Sequence, residues 1–111
     1  MTNTVVQIIK SKFESEFNTK ETLQVLSLNK SIFWSWGVSK LLNFENKALI
    51  LKVSARRFKS YVVITLAWND TYTVTLVNTQ GKVIKEFKEI YFDMLVETID
   101  EEIEKVPIYS F

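Results

Sequence analysis

Two groups of charged side chains in this sequence are spaced in ways that suit chemistry, and they carry opposite signs. The first is basic: Lys52, Arg56, Arg57 and Lys59, with Phe58 among them. Guanidinium and ammonium groups alternating with an aromatic ring suit a nucleic-acid backbone, the charges meeting phosphates and the ring stacking on a base. The same residues also read as a charged loop that keeps a sheet soluble, or as a site for other anions. The second group is acidic: Asp93, Glu97, Asp100, Glu101 and Glu104, spaced i, i+4, i+7, i+8 and i+11. On a helix that spacing gathers the carboxylates into one stripe. Such a stripe is a solvated face neutralised by nearby Lys and Arg, or a docking surface for a basic partner through Glu97, Glu101 and Glu104. Hard cations want oxygen ligands that converge, whereas one straight helix supplies them from one side, so no metal ligand and no cofactor is assigned.

The sequence contains no His and no Cys. Ser-His-Asp and Cys-His nucleophile systems, thiolate catalysis, disulfides and Cys-based zinc sites are therefore excluded in this chain. An enzyme built from what is left would work through carboxylates, Lys or Tyr with a divalent ion. Asp70 and Tyr72 flank a turn and form the nearest approach to an acid–base pair. Turn geometry accounts for Asp70, and Tyr72 has the parity of a core residue, so no catalytic residue is assigned. Gly37 and Gly81 stand alone and cannot make a phosphate-cradling loop.

The elements that must hold these groups follow from periodicity. With 111 residues, 47% hydrophobic and 14% aromatic, the chain has material for one core and is read as a single domain, residues 1–111. No stretch approaches the roughly 18 apolar residues needed to cross a bilayer, and the N-terminus lacks a basic leader, so a cytoplasmic location is expected. Val6, Ile9, Phe13 and Phe17 fall at helical spacing over residues 3–17. Asn18 with Glu21 reads as a capping box opening a second helix to Leu28, although Leu23-Gln24-Val25 also fits a strand. From Ile32 the period changes to two, giving a strand through Trp34, Trp36, Val38, Leu42 and Phe44. Further strands follow over Ala48–Ala55, Tyr61–Trp68, Thr71–Val77 and Lys82–Phe87. Turns fall at Glu45-Asn46-Lys47, Asn69-Asp70 and Asn78–Gly81. The connections are too short for parallel crossovers, so the strands form an antiparallel meander. Residues 91–105 return to helical period, with Pro107 as the stop and Tyr109 and Phe111 packing back on the domain. The fold expected is α+β: two layers, α-β(4-5)-α, both terminal helices on one sheet face.

That arrangement leaves the opposite face open. It carries Ser and Thr, including Thr73, interleaved with Phe33, Leu41, Ile50, Tyr61 and Val63, an apolar group suited to a protein partner or a second copy. An open face also predicts that Val63→Asp weakens association without moving the thermal midpoint. Charge is segregated along the chain: residues 37–88 hold nine basic and three acidic side chains, residues 89–111 one basic and seven acidic.

Four stretches, Tyr61-Val62-Val63-Ile64-Thr65-Leu66, Asp70-Thr71-Tyr72-Thr73-Val74, Gly81-Lys82-Val83 and Ile90-Tyr91-Phe92-Asp93-Met94-Leu95, together resemble small uncharacterised proteins of bacterial phages and mobile elements. The resemblance spans residues 61–104. It implies an accessory protein of bacterial or phage origin and assigns no activity to any residue. The sequence as a whole points to a non-catalytic protein-interaction module, homodimerisation being its simplest form. A nucleic-acid-binding accessory protein using the basic loop is the alternative, and a carboxylate/divalent-metal enzyme the third reading.

Overall fold

The computed structural model describes residues 2–104. Pro107 and the Tyr109–Phe111 tail lie outside the described residues. Helix α1 spans Asn3–Ser11 and opens on Thr2, whose hydroxyl accepts the Val5 N–H at 3.2 Å. Helix α2 spans Thr19–Leu26, and the Asn18 side chain accepts the Glu21 N–H, so Leu23-Gln24-Val25 is helix and not strand, and the helix ends two residues short of Leu28. Helix α3, Lys30–Ser35, is capped in the same way by Asn29, whose side chain accepts the Ile32 N–H at 3.2 Å. Five strands follow: β1 Lys40–Phe44, β2 Ala48–Ser54, β3 Lys59–Leu66, β4 Tyr72–Val77 and β5 Val83–Ile90. A 3₁₀ turn at Phe92–Met94 leads into α4, Leu95–Ile103.

The strands form one antiparallel sheet in the order β1-β2-β3-β4-β5, so the meander and the α+β class stand. The placement of the helices does not: they cover both faces, not one. On one face Leu26, Trp36, Leu95, Ile99 and Ile103 pack against Leu49, Leu51, Val62, Ile64, Val74 and Leu76. On the other, Val5 and Ile9 of α1 pack against Ala48, Ile50, Tyr61, Val63 and Val77. The physical reason lies in β2 and β3. Ala48–Leu51 and Tyr61–Ile64 are unbroken apolar runs, and exposing either face of them to water costs about 25 cal/mol per Å² of apolar surface.

The expected helix over residues 3–17 stops at Ser11 because its apolar positions serve different faces. Phe13 packs with the α1 layer, while Phe17 belongs to the opposite one and meets Tyr72 edge-on at 5.8 Å. Between them the chain rounds one end of the sheet, where Ser15 N–H donates to Leu66 O and Phe17 N–H to Asn46 O. Residues 32–36, read as the start of a strand, lie in α3 and its C-cap. A helical turn brings the Phe33 and Trp36 rings within 5.7 Å of each other and inserts only Trp36 fully into the core. Trp34 and Trp68, placed in the core by parity, are 78% and 75% exposed.

A candidate protein-interaction edge

The basic loop and the acidic helix are brought together, and they engage each other. Arg56 and Arg57 lie in the β2–β3 turn beside the C-terminal end of α4. The Arg56 N–H donates to Glu104 Oε2 at 2.7 Å, and its side-chain Nε lies 3.9 Å from Glu104 Oε1. The Arg57 N–H donates to Ile103 O at 2.7 Å, and its Nη1 to Glu101 O at 3.2 Å. Positive charge at the carbonyl end of α4 is favourable twice over, meeting both the helix dipole and the carboxylate stripe. Phe58 packs against the core, and the Lys52 ammonium lies 5.8 Å from the centre of the Tyr61 ring. Lys59 is exposed at the start of β3.

The remaining carboxylates of α4 divide between internal partners and solvent. Asp100 accepts the Trp36 indole N–H, Glu102 pairs with Lys85 at 3.2 Å, and Glu97 and Glu101 are exposed. No group of three or more His, Cys, Asp or Glu side chains suited to a metal occurs among the described residues. Asp70 and Tyr72 do not form an acid–base pair: the Tyr72 hydroxyl is hydrogen bonded to the Thr22 hydroxyl at 3.0 Å. Burial raises the Tyr72 phenol above its ordinary range, with the Thr22 bond opposing and the Glu21 charge adding.

The open sheet face expected from the sequence is absent. Ile50, Tyr61 and Val63 are buried beneath α1, Thr73 is buried near the end of that helix beside Ser11, Lys12 and Glu14, and Phe33 lies on the other side of the molecule against Trp36. Of the apolar residues assigned to that face, Leu41 alone is exposed, at 43%. It sits on β1, at the free edge of the sheet.

That edge is built differently from its counterpart at the far side. β5 carries Lys85, Glu86, Lys88 and Glu89, and its pairing with β4 is broken by two register shifts. One of these is accompanied by a positive φ at Glu89, 58°. Charges and bulges of this kind discourage a further strand. β1 pairs with β2 in unbroken register from Lys40↔Lys52 to Phe44↔Ala48. It contains no carboxylate, no proline and no bulge, and its one charge, Lys40, is at its start. A hydrophobic trough of about 220 Å³ runs between β1 and α2, lined by Leu23, Leu41, Leu42 and Leu49 with Thr19, Lys20 and Asn43 at its margins. Compared with protein families, curated proteins and solved structures, the chain matches none.

Among the described residues no strand pairs with the outer side of β1, and such an edge beside a trough for alternate side chains is the arrangement used in strand addition. Sequence reasoning placed Leu41 on an open face, whereas it lies on the edge strand β1. The signal that would have found the edge is the contrast in composition between Lys40–Phe44 and Val83–Ile90. No helix among the described residues is long and apolar enough to cross a membrane.

Proposed function

We propose that this protein is a non-catalytic interaction module that takes up an extended strand of a protein partner along β1. The observation behind this reading is the unprotected edge: β1 offers an unbroken, carboxylate-free strand with an apolar trough beside it, while β5 is charged and bulged. Main-chain hydrogen bonds would supply affinity, and the Leu23–Leu41–Leu49 trough would select an apolar side chain.

The nucleic-acid reading draws less support, because Arg56 and Arg57 are engaged by Glu101, Ile103 and Glu104 of α4. The test of strand uptake is a peptide-display selection on the full chain, counter-screened on Leu41→Lys. A lysine on the exposed face of an edge strand is the device by which proteins block such pairing. Selected peptides are expected to be extended and to lose binding to Leu41→Lys; peptides that bind both proteins equally defeat the reading.

A further inference from the structure

We infer that the strand taken up by β1 is the β1 strand of a second copy of this chain, paired antiparallel about a two-fold axis at Leu42. This rests on the strand-addition reading above and names its occupant. A register centred on Leu42 is the one that pairs all five β1 residues: Lys40 with Phe44, Leu41 with Asn43, and Leu42 with its own counterpart. No like charges then stand opposite each other across the new ladder, which would be destabilising.

Charge argues for the same pairing. Within its own sheet Lys40 faces Lys52, a like-charged neighbour, and neither Lys40 nor Glu45 has an ion pair among the described residues. Glu45 stands at the β1–β2 turn with a φ of 55°. In the two-fold register Lys40 stands opposite Phe44 of the partner subunit, next to the turn that carries Glu45 of the partner subunit, so opposite charges are neighbours at both ends of the ladder. The half-exposed Leu41 is covered at the same time, together with the trough it shares with Leu23 and Leu49. The axis runs perpendicular to the sheet, so the two α1 helices lie on one side and the two α2 helices on the other. The product is a continuous sheet twice the width of one subunit's, ended on both sides by the protected β5. Five paired residues and one trough are a small interface compared with obligate dimers, so the dimer is concentration-dependent.

The sequence has no cysteine, so a single introduced thiol reports the register directly. In the full chain, Leu42→Cys is placed opposite itself, within disulfide reach across an antiparallel pair. Lys40→Cys is set apart from its counterpart by four residues, about 13 Å, too far to bridge. Leu42→Cys is expected to oxidise to a covalent dimer at least about tenfold faster than Lys40→Cys, and Leu41→Lys to raise the dimer midpoint roughly tenfold, by light scattering over a concentration series. A 13.0 kDa particle at every concentration overturns the inference. So does a dimer that cross-links equally at both positions or ignores Leu41→Lys. A monomer whose display-selected peptides are lost in Leu41→Lys overturns self-pairing and leaves strand addition standing. A monomer whose peptides bind Leu41→Lys unchanged overturns both.

Discussion

Trp36 donates its indole N–H to Asp100 Oδ1 at 2.9 Å, so that the residue capping α3 is fastened to the middle of α4. The indole is fully buried, and Asp100 is half-buried at the margin of the core. Asp100→Ala leaves a buried donor without an acceptor, which costs about 1–3 kcal/mol. Asp100→Asn keeps an oxygen in place and is expected to lose less than half as much. Urea unfolding followed by tryptophan emission measures both. Since Trp34 and Trp68 are exposed, the change in emission on unfolding reports mainly on Trp36.

Val63 is the position where the two-face packing reverses an expectation most sharply. An open sheet face tolerates Val63→Asp; the observed one does not, because Val63 is fully buried between β3 and α1 among Val5, Ile9 and Ile50. Burying an unpaired carboxylate there costs more than about 4 kcal/mol, a large part of the stability of a domain this size. Circular dichroism at 25 °C is expected to find Val63→Asp largely unfolded, while Leu41→Lys at the edge melts within a few degrees of wild type. A folded Val63→Asp with an unchanged midpoint would show that α1 does not cover the sheet in solution.

These two residues also mark where the fold was legible in the sequence. Period-two alternation located β2 to β5, and Asn18 with Glu21 located the start of α2, because capping and turn chemistry are local. The layer carrying α1 was not legible from alternation, since Ile50 and Val63 look alike whether they face solvent or a helix. The unbroken runs Ala48–Leu51 and Tyr61–Ile64 did hold that information, because a strand wet on one side does not need them. Ile32, Trp34 and Trp36 alternate like a strand, and only the Asn29 cap and Gly37 at positive φ contradict it. The mutual engagement of Arg56 with Glu104 lay beyond any local pattern, because it joins residues 48 positions apart. The candidate edge depends on strand order, which fixes β1 and β5 as the outer pair.

Gly37 and Gly81 both have positive φ, 61° and 84°, yet their substitutions should behave differently. A Cβ on Gly37 would lie 2.6 Å from the Ser54 carbonyl oxygen, part of β2 and unable to move aside. A Cβ on Gly81 would meet the side chain of Thr4 in the first turn of α1, coming within 2.9 Å of its Cβ. Each change to Ala also carries about 1–2 kcal/mol for the left-handed backbone. Gly37→Ala is therefore expected to be the more destabilising. Part of the Gly81→Ala loss should be recovered by trimming Thr4 to Gly, which appears in a double-mutant cycle as a favourable coupling between positions 4 and 81. Strict additivity in that cycle would contradict the close approach of the β4–β5 turn to α1.

Acid should loosen α1 before it unfolds the sheet, and the group responsible is Glu86. Burial alone would raise its carboxyl, but hydrogen bonds from Lys12 at 2.7 Å and Thr75 at 2.9 Å, with the Lys12 and Lys88 charges, outweigh it and hold it below the ordinary glutamate range. A carboxyl whose folded value is depressed contributes stability that is fully present above its unfolded value. The contribution is lost as pH falls from the ordinary glutamate range through the lower folded value. Lys12 is the residue that caps α1, so protonating Glu86 releases the bond between the end of α1 and β5. Thermal midpoints between pH 3 and 7 should therefore fall less steeply in Glu86→Gln than in wild type. Amides on α1 should gain exchange in wild type over that acid window while those of β3 stay protected. An identical acid limb in the two proteins would mean that the Lys12–Glu86 pair contributes nothing to holding α1 on the sheet.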